Sequence, residues 1–598
     1  MAAYIHRTLI PSHISSHLRK GPFYPCHSIL PLLIISRLSL ASRPSSTMAR
    51  TYESALSHLA ALQSNRAITS LFSAPATLAP PKDLNALAIP EMLAWLQRAG
   101  LSQDDLAARL RCIHVAGTKG KGSVCAYLTA LLARGDEETR RAAGKVGTYT
   151  SPHLVSVRER IAIDGTPISR ALFARYFFEV WDACTEAARA ELVARNRNGG
   201  RGNGEEEEIS EEELRGPATK PFYFRFLTIV ALRAFLGEGV RSAIIECGIG
   251  GEYDSTNVLP AASVTVSVVT QLGIDHVGML GRTVPEIAWH KAGVCKTGRK
   301  CFTRRLEGKG SAEGAVAEKT MQVLRQRAEE KGATLVEIED AEVEAWGGVQ
   351  AGEKGPGSLE GEFQKYNQAL AVGAAREHLR VLAAESPGAS SGQGGRNPDT
   401  TASEKLDDIS PSFTSALQHA RLRGRCETRE DEHAPITWLI DGAHTAESLT
   451  EVARWFSSKL DQDTSKAKTV LLFNQQDRDA ARLVSGLLED IKANISIPTD
   501  QGGKALFTHA VFSRNEVEPR GEIEPERDLS VQRAAAEALH TISPSTSTSV
   551  LDNVADAVAE ARALATRDGD GERTLVLVTG SLHLVGALLR TLEPDGED

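Results

Sequence analysis

The stretch His114-Val-Ala-Gly-Thr-Lys-Gly-Lys-Gly-Ser123 constrains this chain more than any other. It joins an apolar run, Cys112 to Val115, to a helical pattern from about Ser123 to Ala133 through a loop of glycines and lysines. Glycines let backbone amides wrap a triphosphate, and a helix N-terminus favours its negative charge. Lys121 can then reach the outer phosphates and Ser123 a magnesium ion. The spacing departs from the standard phosphate loop, because Gly122 separates the lysine from Ser123 and Ala116 stands where the first glycine would be. The same residues could form a Gly/Lys surface turn, but the strand before and the helix after favour phosphate binding.

A strand feeding a helix through such a loop predicts a parallel α/β sheet, and the pattern recurs. Ala243 to Ile245 and Val264 to Val269 read as further strands, each followed by polar residues where strand C-termini open into a crevice. A second set, Trp438 to Ile440, Val470 to Phe473 and Leu575 to Val578, predicts a smaller α/β domain. A chain of 598 residues exceeds one ordinary core, so we divide it into a leader over 1–47, a nucleotide-binding domain over 48–421 and a C-terminal α/β domain over 422–598. Polar, low-complexity stretches at 196–220, 386–412, 498–527 and 543–549 read as insertions or disorder.

The leader carries Arg7, Arg19, Lys20, Arg37, Arg43 and Arg50 with no acidic residue before Glu53, a mitochondrial-type composition. Initiation at Met48 would give a cytosolic form. No apolar run is long and charge-free enough to predict a membrane span. The net charge of −9 argues against general nucleic-acid binding, and eight scattered cysteines without paired spacing argue against a disulfide framework or zinc site.

A phosphate loop alone says only that a nucleotide binds. Glu246, ending the strand that opens into Cys247-Gly-Ile-Gly-Gly251, is placed to bind magnesium, although an ion-paired acid fits as well. His276, in Gly273-Ile-Asp-His-Val-Gly278, is a second candidate ligand; alone, a hydrogen-bonded structural histidine is the commoner reading. Lys291, in His290-Lys-Ala-Gly293, would ordinarily be a surface lysine.

Their order is informative. Gly117 to Ser123, Thr150-Ser-Pro-His-Leu154 with Arg158-Glu-Arg-Ile161, Phe224-Arg-Phe-Leu-Thr228, Glu246 to Gly251, Asp275-His276, Lys291-Ala-Gly293, Phe363-Gln-Lys-Tyr-Asn367, Arg423-Gly-Arg-Cys-Glu427, Asp441-Gly-Ala-His-Thr445 and Thr579-Gly-Ser-Leu-His583 follow one another along the chain. Together they resemble the Mur ligase superfamily and, within it, the folylpolyglutamate synthases. That resemblance implies a central phosphate-loop domain and a smaller Rossmann-like C-terminal domain. It implies that Gly120, Lys121, Gly122 and Ser123 hold ATP phosphates, with Ser123, Ser151, Glu246 and His276 around Mg2+. Asn367 would lie near the adenine, and Arg425 and Asp441 would contact phosphate and ribose. Lys291 would carry a carbamate that helps hold a second metal ion. His444 and Ser581 would lie near the incoming glutamate; the Thr150 to His153 loop, with Ser151 and His153, and Phe224 to Thr228, with Phe226, would border the pterin-side pocket, although aromatics there fit ordinary core equally well. A monovalent cation such as K+ and a monomeric state also belong to what the resemblance implies.

The implied reaction is ATP-dependent addition of L-glutamate to the γ-carboxyl of tetrahydrofolate or its polyglutamates through an acyl phosphate. It would retain folates for one-carbon metabolism in the mitochondrial matrix, or at its inner membrane, and in the cytosol. Two alternatives stay open at this point: a dihydrofolate synthase, adding glutamate to dihydropteroate, and a phosphate-loop ATPase whose second domain binds a protein partner. Thr445 and Arg225 favour the polyglutamate ligase over dihydrofolate synthase by resemblance.

Overall fold

The structure is a computed structural model, and it describes residues 50–62, 84–199, 209–308, 310–352, 355–385, 405–462, 468–476, 479–495, 506–521, 523–567 and 573–593. The leader over 1–47, residues 200–208 of the 196–220 stretch and residues 386–404 of the 386–412 stretch lie outside these residues.

The alternating apolar runs build two mainly parallel sheets. The first has eight strands: β1 Arg111–Ala116, β2 Val146–Tyr149, β3 Ile161–Ile163, β4 Thr166–Pro167, β5 Ser242–Glu246, β6 Val264–Val269, β7 Lys300–Arg304 and β8 Thr334–Ile338. Their order is β4-β3-β2-β5-β1-β6-β7-β8, and only the β2–β3 and β3–β4 pairs are antiparallel. β1, β5 and β6 are buried along almost their whole length, as expected of central parallel strands covered by helices on both faces. Tyr223–Gly237 packs in one apolar core, and Lys121–Arg134 with Gln364–Ala384 in another.

The second sheet has six strands: β9 Glu427–Glu430, β10 Ile436–Ile440, β11 Lys468–Phe473, β12 His509–Ser513, β13 Ser547–Leu551 and β14 Thr574–Thr579. The order is β13-β12-β11-β14-β10-β9, parallel except at β9–β10. β12 and β13 correct the sequence reading, which assigned both stretches to insertions. Their short runs are flanked by polar residues, and it is pairing with β11 and with each other that orders them. Glu211–Arg215, within the stretch 196–220, is likewise a short capped helix.

Register decides where chemistry collects. Val115 pairs with Glu246 across β1–β5, and Ala116 with Val269 across β1–β6. Three strands therefore end at one level, and the loops after them open into one crevice. In the second sheet, β10 and β14 end side by side: Asp441 donates its N–H to Val578 O at 3.0 Å, and Gly580 to Ala443 O at 3.0 Å.

Candidate active site

The phosphate loop is closely packed. Gly117 has φ 147°, and a Cβ there would lie 1.8 Å from Thr270 Oγ1. Gly120 starts the Lys121–Arg134 helix in the left-handed region at φ 84°, and a Cβ there would lie 2.3 Å from Asn367 Oδ1. Only glycine meets both demands.

Two ammonium groups converge on this loop. Lys121 Nζ donates to Gly117 O at 3.1 Å, and Lys291 Nζ to the same oxygen at 2.7 Å. Lys291 is 2% exposed. Burial, then the charge of Lys121, bring its pKa down to about 7. It is thus no surface lysine.

Glu246 is buried at the end of β5 and accepts Ser151 N–H at 2.8 Å on Oε2. Burial raises its pKa, opposed by Lys121, by this hydrogen bond, and by Arg425 and Arg160. Arg425 belongs to the segment entering the second sheet, so both domains act on one carboxylate. Its Nη1 donates to Gly424 O at 3.0 Å. Asp441, also buried, accepts Cys426 N–H and Ala443 N–H at 2.8 Å each; burial raises its pKa against the opposing charge of Arg425. His444 Nδ1 donates to Gly442 O at 3.0 Å, leaving the ring lone pair on Nε2. Ser581 caps the Leu582–Leu592 helix by accepting His583 N–H at 3.1 Å.

His276 has φ 50° and a half-exposed ring 3.7 Å from Asp275. Among the described residues no three His, Cys, Asp or Glu side chains converge on a metal position. Ser151 and Glu246 do meet, and Ser123 lies buried one turn into the loop's helix, two residues from Lys121. This fits a cation that takes one carboxylate and hydroxyl groups and completes its shell with water and substrate phosphate, as Mg2+ does. Asn367 lies under the phosphate loop, its Nδ2 donating to Gln364 Oε1 at 2.8 Å.

Phe226 is corrected to core. It is fully buried, with ring centroids 5.0 Å from Phe177 and 5.6 Å from Trp181. Phe224 is the residue beside the crevice: its ring lies 6.0 Å from that of Tyr149, and a Cβ on Gly248 would meet it at 2.6 Å. Two positions apart on a helix face different ways, a signal the sequence did offer.

Sequence reasoning missed Asp254. Its carboxylate accepts Ile249 N–H at 2.8 Å, Thr256 N–H at 2.9 Å and Thr256 Oγ1–H at 2.6 Å, holding the loop after Glu246 in shape. Asp followed two residues later by Thr is a local capping pattern that could have revealed it. Also missed was the ion pair of Lys119 with Glu447 across the domains, at 3.3 Å; nothing in sequence spacing announces it.

A phosphate loop, a buried carboxylate and a second α/β domain that brings an arginine to the same carboxylate define an ATP-dependent ligase of the Mur type. No protein-family profile matches the chain. Relatives named folylpolyglutamate synthase align over nearly its whole length: that of Neurospora crassa is 36% identical over 572 residues, 93% of this chain and 94% of its own. That of Saccharomyces cerevisiae is 34% identical over 560 residues, 92% of this chain and 89% of its own. A Mycobacterium tuberculosis folylpolyglutamate synthase complexed with ADP shares the fold at TM-score 0.55 and 25% identity, covering 85% of this chain and 95% of that one. So does a Yersinia pestis bifunctional folylpolyglutamate synthase/dihydrofolate synthase complexed with AMPPNP and Mn ion, at TM-score 0.53 and 22% identity over 92% and 100%. The chain belongs to the folylpolyglutamate synthase family, ATP-dependent ligases that add glutamate to folates.

Proposed function

We propose that this protein joins L-glutamate to the γ-carboxyl of tetrahydrofolate and its polyglutamates through an acyl phosphate. One observation carries the reading: Lys121 and Lys291 meet at Gly117 O in a loop shaped for phosphates, while Lys121 from the first domain and Arg425 from the second both act on Glu246.

Forming an amide from a carboxylate in water needs an activated acid, and ATP supplies it by phosphorylating the folate γ-carboxylate. Lys121 and Arg425 stabilise the charge that spreads over the transferring phosphoryl group, a positional and electrostatic catalysis. Glu246, Ser123 and Ser151 would hold Mg2+, which when bound neutralises phosphate charge. His444 is the group to take a proton from the incoming glutamate ammonium, freeing the amine to attack the acyl phosphate. Contacts shared between domains let closure complete the site and exclude water that would hydrolyse the intermediate. A partly neutral Lys291 amine at pH 7 supports its conversion to a carbamate, and K+ near the phosphates is part of the same proposal. The basic leader and Met48 support mitochondrial and cytosolic forms serving one-carbon metabolism, acting as a monomer.

Substrate labelled with 18O in the γ-carboxylate tests the route. One labelled oxygen should appear in each phosphate released; unlabelled phosphate would contradict the acyl phosphate.

A further inference from the structure

The connection between β2 and β3, residues 150–160, runs from the catalytic carboxylate to the second domain. At one end Ser151 N–H holds Glu246. At the other, Leu154 O sits so close to Gly586 that a Cβ there would lie 2.3 Å from it. Between them the Glu159 carboxylate accepts the N–H groups of Leu154, Val155 and Ser156 at 2.8, 2.8 and 2.6 Å. Those three bonds commit Glu159 to the backbone and fix the loop.

Two side chains are thereby fixed facing each other. Arg160, 8% exposed, donates from Nε to His153 Nδ1 at 2.9 Å, with its guanidinium 5.6 Å from the Tyr223 ring centre. Because Nδ1 accepts, the imidazole carries its proton on Nε2 and presents a donor there. The close approach of Leu154 O to Gly586 brings the Leu582–Leu592 helix, which carries His583 and Arg590, against this loop. Arg160 also acts on Glu246, which ties the recess to the place of phosphoryl transfer. Among the described residues, Arg160, His583 and Arg590 make no ion pair with a carboxylate. A buried guanidinium that makes no ion pair, beside a site that takes an acidic substrate, calls for a carboxylate from that substrate.

We propose that Arg160 and the Nε2–H of His153, with Arg590 and His583 opposite, bind the α-carboxylate of the acceptor's terminal glutamyl residue. This directs its γ-carboxylate toward Glu246 and Lys121. It also selects glutamylated acceptors over dihydropteroate, which has no second carboxylate to offer. The inference rests on the folate-ligase reading and adds the group that sets acceptor choice.

The test compares tetrahydrofolate with the same molecule bearing an α-carboxamide, by ATP- and glutamate-dependent product formation with the full chain. The unaltered protein should prefer the carboxylate about 10- to 100-fold in kcat/KM, the value of a charge-assisted hydrogen bond. In Arg160→Gln that preference should collapse to near unity through KM for the carboxylate, with KM for ATP unmoved. Arg590→Gln, an exposed position, should narrow it as well and guards against a folding defect in the first variant. Equal use of both acceptors by the unaltered protein, or an undiminished preference in both variants, overturns the proposal. If the unaltered protein glutamylates neither acceptor, the folate-ligase reading itself falls and takes the subsite with it.

Discussion

Lys121 and Lys291 donate to one oxygen, Gly117 O, from the start of one helix and the end of another 170 residues along the chain, at 3.1 and 2.7 Å. Two ammonium groups sharing a neutral acceptor are in mutual repulsion that a polyphosphate relieves, so the loop is charged for its ligand before that ligand arrives. Lys121→Ala should lower kcat by about 100- to 1000-fold, the usual cost of one transition-state donor. Steady-state ADP release measures it, and a loss confined to KM for ATP would count against the role.

Lys291, with a pKa of about 7, exposes a neutral amine to dissolved CO2 at neutral pH. With 13C-bicarbonate, a carbamate carbon resonance should appear and be missing from Lys291→Met. An identical spectrum in both would remove the modification from this protein.

Gly120→Ala should raise KM for ATP at least about tenfold, since φ 84° and the Asn367 contact both oppose a side chain. Thermal melting with and without ATP should show the unliganded variant melting below the parent, from that strain, and the ATP-induced rise lost.

Two fully buried histidines make the fold acid-sensitive. Burial, first in each case, brings His114 and His378 down to about 3. Between that value and the ordinary 6.5 the unfolded chain binds protons that the folded one does not, so stability is full above pH 6.5 and falls as pH drops toward 3. His378 sits between Thr265 Oγ1 at 2.7 Å and Ser242 Oγ at 2.9 Å. Denaturation of His378→Gln between pH 7 and 4 should show a shallower slope than the parent; parallel slopes would contradict the assignment.

Lys459 and Glu360 form an ion pair between the second domain's Ala446–Gln462 helix and the chain ahead of Gln364–Ala384, with side chains only 13% and 10% exposed. Removing one partner strands the other, so Lys459→Met should cost about 3 kcal/mol in urea unfolding. The exposed pair Lys119–Glu447 should contribute under about 1 kcal/mol by the same measurement.

The order of strands and glycine loops was legible because central parallel strands are apolar runs and phosphate loops need glycine at fixed places. β12 and β13 were not, since His509–Ser513 and Ser547–Leu551 are short and their hydrogen-bond partners lie 38 residues or more away in sequence, as in His509 with Ser547. Phe226 and Phe224 looked alike until the helix turned one into the core and left the other at Gly248. Glu246 and Lys291 were visible in the sequence as candidates, while their burial and their common neighbour Lys121 come from tertiary packing. The Arg158-Glu159-Arg160 segment was visible as a motif, while its role depended on a loop whose shape only the structure shows.

The most direct test of the central claim is incorporation of labelled glutamate by the purified protein with Mg-ATP, comparing tetrahydrofolate with dihydropteroate as acceptor. Incorporation on tetrahydrofolate, matched by one ADP per glutamate and dependent on both substrates, is the predicted result. ADP release that needs neither acceptor nor glutamate, or incorporation on dihydropteroate alone, would contradict it.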